Sequence, residues 1–318
     1  MGETLRKLGK SRELILFFVV ALMFVAMIFA SPYFFSSDNL LAVLLSLSME
    51  AILVVGMVNL MISGGFDMSI GAVVALSGGV MAMLIKSGLP IVVAILAGLL
   101  TGMVIGLFNG FSVAKLGIVP FVTTLATQSM SRGLLLVLTS GKNISNLPKE
   151  FTWIGQMKIG DIQLPVIYMA VIVIIGNWLL RRNRFFRQNY YIGGNYKAAK
   201  LSGINAEKMT LFNYALMGLL AAVVGLILTA RLGSASTTAG IGLELKVITA
   251  VIIGGTSMSG GEGTVLGGFL GCILMALISN ALTLLNVSVY WTTFVTGFTL
   301  LSAVLIDRAG KIRQQKNK

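Results

Sequence analysis

The sequence predicts an all-α, polytopic transmembrane protein of about ten segments with an internal repeat. Three observations carry that prediction. Of 318 residues, 56% are apolar and only 11% are charged, against about 25% charged in ordinary soluble domains. Runs such as 14–30, 91–107, 164–180 and 211–230 carry almost no charge and approach the roughly 20 residues a bilayer-spanning helix needs. Glycine is abundant (37) and proline scarce (5), a composition that lets membrane helices pack closely.

In chain order, the hydrophobic segments are about 14–30, 40–62, 67–85, 90–113, 119–139, 164–180, 210–230, 243–255, 263–284 and 290–306. The first follows a basic stretch, Met1 to Arg12, with Ala30-Ser31-Pro32 a poor cleavage site, so it is read as a retained span. The third and eighth are weak. The eighth is too short to span and is expected as a tilted or broken helix buried in protein, where irregular backbone is tolerated. The whole chain, 1–318, is read as one membrane domain.

The net charge of +13 does not indicate nucleic acid, because the basic residues are grouped by topology. With the N-terminus inside, 17 of the 24 Lys and Arg fall on the cytoplasmic side. They lie before the first span, at Lys115, between Arg181 and Lys208, and after the last span. This is the usual cytoplasmic bias, with contact to anionic lipid. Both termini are then cytoplasmic, and 140–163 lies outside. A single cysteine, Cys272, excludes a disulfide framework, and the absence of histidine excludes His-based haem ligation or proton relays.

Two stretches read alike: ISGGFDMSIGAVVALSG (62–78) and IIGGTSMSGGEGTVLGGFLG (252–271). Asn109 precedes Pro120 by eleven residues, as Asn280 precedes Trp291. Repeat halves at about 40–139 and 210–306 follow, with both Gly-Gly turns cytoplasmic. Such repeats are common in transporters. The longest polar stretch on the cytoplasmic side is GGNYKAAKLSGINAEK, 193–208, within a loop of about 181–209. Ala198-Ala199 followed by Gly203 fits a short helix ending in a Gly turn, able to dock into a cleft on another protein.

These motifs resemble the permease subunits of bacterial ATP-binding-cassette importers of the ribose type. GGFDMSIGAVVALSG, GGNYKAAKLSGI, LELKVITAVIIGGTSMSGGEGTVLGG and LLNVSVYWTTFVTGFTLLSAVLID match the family in the same order, from about Asn39 to Asp307. The resemblance implies a type II-like importer permease in a bacterial inner membrane. A second permease subunit, identical or paralogous, would complete the pathway. A separate cytoplasmic ATPase would grip the loop, and a periplasmic sugar-binding protein would deliver substrate. Gly193, Gly194, Asn195, Ala198, Ala199 and Gly203 would couple to the ATPase. Lys197 stands where importers often carry Glu, and Glu262 also departs from the pattern. No G-x-x-x-x-G-K-[ST] sequence is present, so no cofactor is expected in this chain, and ATP and Mg belong to the partner.

Charge at membrane depth is costly and often functional, which singles out Glu50, Asp67, Arg132 and Glu244. Arg132 is expected to need a partner, an acidic residue among the options. Gly65, Asp67 and Ser69 of the signature turn, with Asn59, Asn109, Thr123 and Asn280, are candidates for lining a path for hydroxyl-rich cargo. Thr124 and Gln128 add to them. Such residues equally serve as interhelical hydrogen-bond glue. An ion-coupled carrier, or a permease for branched-chain amino acids or metal chelates, is the alternative reading. Only the docking loop argues against the carrier.

Overall fold

The computed structural model describes residues 12–288 and 290–316, with side-chain environments for 13–288 and 290–305. The basic residues Arg6, Lys7, Lys10 and Lys318 lie outside the described residues. Each of the ten hydrophobic segments is a helix. They are α1 (Arg12–Ala30), α2 (Ser37–Ile62), α3 (Ile70–Lys86), α4 (Ile91–Ala114), α5 (Pro120–Thr139), α7 (Leu164–Arg182), α10 (Ala206–Leu232), α11 (Leu243–Ile253), α12 (Val265–Leu284) and α13 (Tyr290–Lys316). Three short helices add to them: α6 (Lys149–Gln156), α8 (Arg184–Gly194) and α9 (Tyr196–Leu201). A four-residue hairpin, β1 (Lys158–Ile159) with β2 (Ile162–Gln163), is antiparallel. Seven of the described helices are long and apolar enough to cross a bilayer. The count of ten therefore needs qualification: α3, α11 and the apolar part of α13 are shorter than a full span.

α2 is the central post. Every residue from Leu47 to Ile62 is buried, as expected for a helix apolar on all sides. α1, α4 and α13 form the rim, each with an exposed apolar stripe. On α4 the stripe is Val92, Leu96, Leu100, Val104, Phe108 and Phe111, the face suited to lipid.

The opposite face of α4 carries Gly98, Gly102, Gly106 and Gly110, one every four residues. A Cβ on Gly106 would overlap the Tyr214 carbonyl, and one on Gly102 the Gly218 carbonyl. The α4 and α10 backbones thus touch along a ladder that only glycine permits.

Two chain breaks set the depth of the short helices. α2 ends at Ile62, and residues 63–69 then run back into the bundle before α3 starts. α10 ends at Leu232 beside α6, where Gln156 Nε2 donates to the Arg231 carbonyl at 2.9 Å. Residues 233–242 then descend. Gly240 rests directly on Gly71, with no room for a Cβ on either. Gly71 lies about 22 Å from the Lys86 end of α3, and α11 runs on for about 16 Å, taking 1.5 Å per residue. The starts of α3 and α11 therefore meet inside the bundle, at the Gly71–Gly240 contact. The eighth segment, expected as a tilted or broken helix, is the short continuous helix α11.

Candidate functional site

At one end of the bundle, α8, α9 and the start of α10 form a polar layer. Three asparagines build it. Asn183, Asn195 and Asn205 each stand before a helix, and their side chains accept from Phe185 N, Ala198 N and Lys208 N at 2.8, 3.0 and 3.0 Å. These are the bonds an N-cap supplies. α9 ends where Gly203 takes φ +84° and Ile204 N returns to the Ala199 carbonyl. Ala199 is buried with Ile192, Ala206 and Met209. Ala198 faces out, and Leu201 is 90% exposed.

This layer is joined to the turn after α2 and to the turn between α11 and α12. Gly193 packs against the Ile62 carbonyl and Gly261, and Gly261 N donates to that same carbonyl at 2.9 Å. Gly193 is therefore a wedge between two turns, while a Cβ on Gly194 would point into open space. Asn189 of α8 is fully buried. Its amide meets Asn59 Oδ1 at 3.4 Å, and Asn213 Nδ2 donates to Asn189 Oδ1 at 2.8 Å and to Ser63 Oγ at 3.1 Å. Asn59 thus belongs to an amide cluster that ties α8 to α2 and α10. The Tyr190 hydroxyl donates to the Gly263 carbonyl at 2.8 Å. Burial pushes that phenol above its usual range, so it stays a donor at neutral pH.

Deeper in the bundle, the signature turn closes on itself. Ser69 N and Ser69 Oγ donate to Asp67 Oδ1 at 2.7 and 2.6 Å. Asn109 Nδ2 reaches Ser69 Oγ at 3.1 Å and Asp67 Oδ2 at 3.5 Å, and Thr127 donates to Asn109 Oδ1 at 2.6 Å. Thr124 Oγ1 accepts from Met68 N at 3.0 Å. The Tyr214 hydroxyl donates to the Phe66 carbonyl at 3.1 Å, and Gly65 lies beside that hydroxyl. Thr123 is buried with its hydroxyl unpartnered. Asp67, Ser69, Asn109 and Thr124 thus come together.

Asn280 does not join them. It donates to Asn39 Oδ1 at 2.7 Å, at the other end of α2. Asn109 and Asn280, alike in local sequence, lie at opposite ends of the bundle.

The remaining charges sit along α11. Lys246 Nζ lies 3.6 Å from Glu50 Oε1, with Cys272 Sγ 3.8 Å from the other Glu50 oxygen. Gln128 donates to Glu244 Oε1 at 3.1 Å. The bonds of Arg132 go to carbonyls, Thr237 at 2.7 Å and Gly71 at 3.4 Å. Sequence reasoning missed Lys246, Asn189, Asn213 and Thr127. A lysine inside an apolar helix was a signal for the first.

Together, seven helices long and apolar enough to cross a bilayer, two non-helical breaks inside the bundle and a polar layer at one end are the features of a polytopic membrane protein. Residues 39–304 match the family described as branched-chain amino acid transport system / permease component, and the chain belongs to that family. It is 38% identical over 293 residues to the ribose import permease protein RbsC of Haemophilus influenzae, covering 91% of this chain and 90% of that protein. It is 34% identical to the xylose transport system permease protein XylH of the same organism, covering 87% and 91%. It is 31% identical to the autoinducer 2 import system permease protein LsrC of Photorhabdus laumondii, covering 98% and 94%. No solved structure matches the chain.

Proposed function

We propose that the chain is the pathway subunit of an ATP-binding-cassette importer for a sugar, D-ribose first among the candidates. The observation that carries this is 38% identity with a ribose import permease over 91% of the chain. Xylose, allose and autoinducer 2 follow from the other relatives. Two such subunits, identical or paralogous, enclose the path in the inner membrane. A periplasmic binding protein loads it, and a separate ATPase holding ATP and Mg drives it. The α8–α9 end and both termini face the cytoplasm.

In this reading, α9 is the element the ATPase grips. Ala198, Tyr196 and Leu201 offer it an exposed small-and-apolar surface between Lys197 and Lys200. A push on α9 passes through α8 to Gly193, and from there to the turns at Ile62 and Gly261. Gly65, Asp67, Ser69, Asn109 and Thr123 border the path at its inner half, and Asn59 belongs to the relay. The family description favours a second cargo, a branched-chain amino acid.

The test is uptake into vesicles holding the permease, its ATPase and the binding protein. ATP-dependent entry of labelled ribose, with no ion gradient, is expected. Uptake that ignores ATP and follows an ion gradient would overturn the proposal, and leucine in place of ribose would move it to the second cargo. Gly203→Trp is expected to impair stimulation of the ATPase, but its positive φ also strains any side chain. Ala198→Trp, on an exposed and unstrained position, is the cleaner variant. Normal substrate-stimulated ATP turnover in it would count against α9 as the docking element.

A further inference from the structure

Arg132 stands about two helical turns before the end of α5, at the level where Gly240 meets Gly71. It is only half-buried. A partly exposed guanidinium at that depth cannot face hydrocarbon without a large cost. Beside it runs the irregular segment 234–242, in which Thr238 and Ile241 are exposed. Non-helical backbone at bilayer depth is tolerated only where protein buries it or water lines it. A third observation is independent of both. Glu244 is 6% exposed; one of its oxygens accepts from Gln128, and the other, Oε2, is buried without a hydrogen-bond partner. The outer stripe of rim helix α4 is apolar over its full length, whereas on α5 the polar Gln128, Ser129 and Arg132 interrupt an otherwise apolar exposed surface.

We propose that the face made by α5 and residues 234–244 is the wetted wall of the solute path at the bilayer centre, and that Gln128, Arg132 and Glu244 meet passing hydroxyl groups there. The set suits a neutral polyol. A sugar hydroxyl donates to the free Glu244 oxygen, and its lone pairs accept from the Gln128 amide and the remaining guanidinium N–H groups. In the present arrangement the Glu244 oxygen is covered by Gly71. Separating the Gly71 and Gly240 backbones uncovers it. This assignment rests on the importer reading, since it assumes a hydroxyl-rich cargo.

The test is thiol labelling in proteoliposomes containing the permease, its ATPase and the binding protein, with D-ribose as the transported probe. Thr238→Cys and Ser129→Cys are made singly in the wild-type background, where Cys272 is fully buried and the parent protein serves as blank. Leu96→Cys and Val104→Cys, on the lipid stripe, are the controls. A membrane-impermeant methanethiosulfonate is expected to modify the first two at least about tenfold faster than the controls, because thiolate forms only in water. Modification of Thr238→Cys should also stop ribose uptake. If one of the pair fails to insert, the other carries the measurement. Labelling as slow as on the lipid stripe would overturn the proposal. So would shielding from the reagent combined with oxidative cross-linking between copies, which would make this face a dry seam. Uptake by the parent protein that ignores ATP would sink the importer reading instead, and is scored separately from the labelling rates.

Discussion

Asp67 offers the sharpest test of how the signature turn is held. Asp67→Ala removes the acceptor for Ser69 N and Ser69 Oγ, at 2.7 and 2.6 Å, and the longer contact with Asn109 at 3.5 Å. Each net hydrogen bond contributes about 1 kcal/mol, and a buried donor left unmatched costs about 1–3 kcal/mol. Ser69 is fully buried, so its hydroxyl proton cannot turn to water. The expected loss is about 2–4 kcal/mol, or roughly 30- to 1000-fold in the folded-to-unfolded ratio. Asp67→Asn keeps one acceptor oxygen for Ser69 and should lose about 1 kcal/mol or less. The assay is unfolding in mixed micelles by titrated dodecyl sulfate, followed by the fluorescence of the three tryptophans. Combined with Asn109→Ala, the losses should fall short of additive, because the two share Ser69. Alanine and asparagine variants within about 0.5 kcal/mol of each other, or strict additivity with Asn109→Ala, would refute the reasoning.

Three further outcomes follow from the packing. Gly102→Leu and Gly106→Leu should each lower stability in the same assay by about 1–3 kcal/mol, while Gly133→Ala, with open space around it, should match the parent or exceed it by up to about 1 kcal/mol. Lys246→Met strands Glu50, whose side chain is only 11% exposed. Allowing for the 34% exposure of Lys246, the expected loss is about 1–3 kcal/mol, and adding Glu50→Gln should recover most of it. Asn189→Leu should leave the binding protein docking normally but raise the ATP consumed per sugar delivered, as measured in vesicles, because it cuts α8 from α2 and α10.

The ten apolar segments were legible because composition and run length set them locally, and the Asn caps of α8, α9 and α10 sit at spacings a sequence displays. The short eighth segment, expected as a tilted or broken helix buried in protein, is a continuous, largely buried helix of 11 residues. What it meets was not legible, since Gly71 and Gly240 are joined only by the fold. The same holds for Glu50 and Lys246, and for Asn59, Asn189 and Asn213, whose pairings cross far-separated helices. The glycine ladder of α4 was present as a four-residue period and went unread beside the louder Gly-Gly turns. The echo of Asn109 in Asn280 carried no information on position: the extra helix α3 between the Gly-Gly turn and Asn109 leaves the two asparagines in different parts of the bundle.

The meeting of α3 and α11 inside the bundle has a mechanical consequence. Bending a continuous membrane helix breaks backbone hydrogen bonds in hydrocarbon, each worth several kcal/mol. Here two separate segments meet backbone to backbone at Gly71 and Gly240, and neither glycine carries a side chain to interlock. Displacing one against the other disturbs that contact and leaves the backbone bonds within each helix intact.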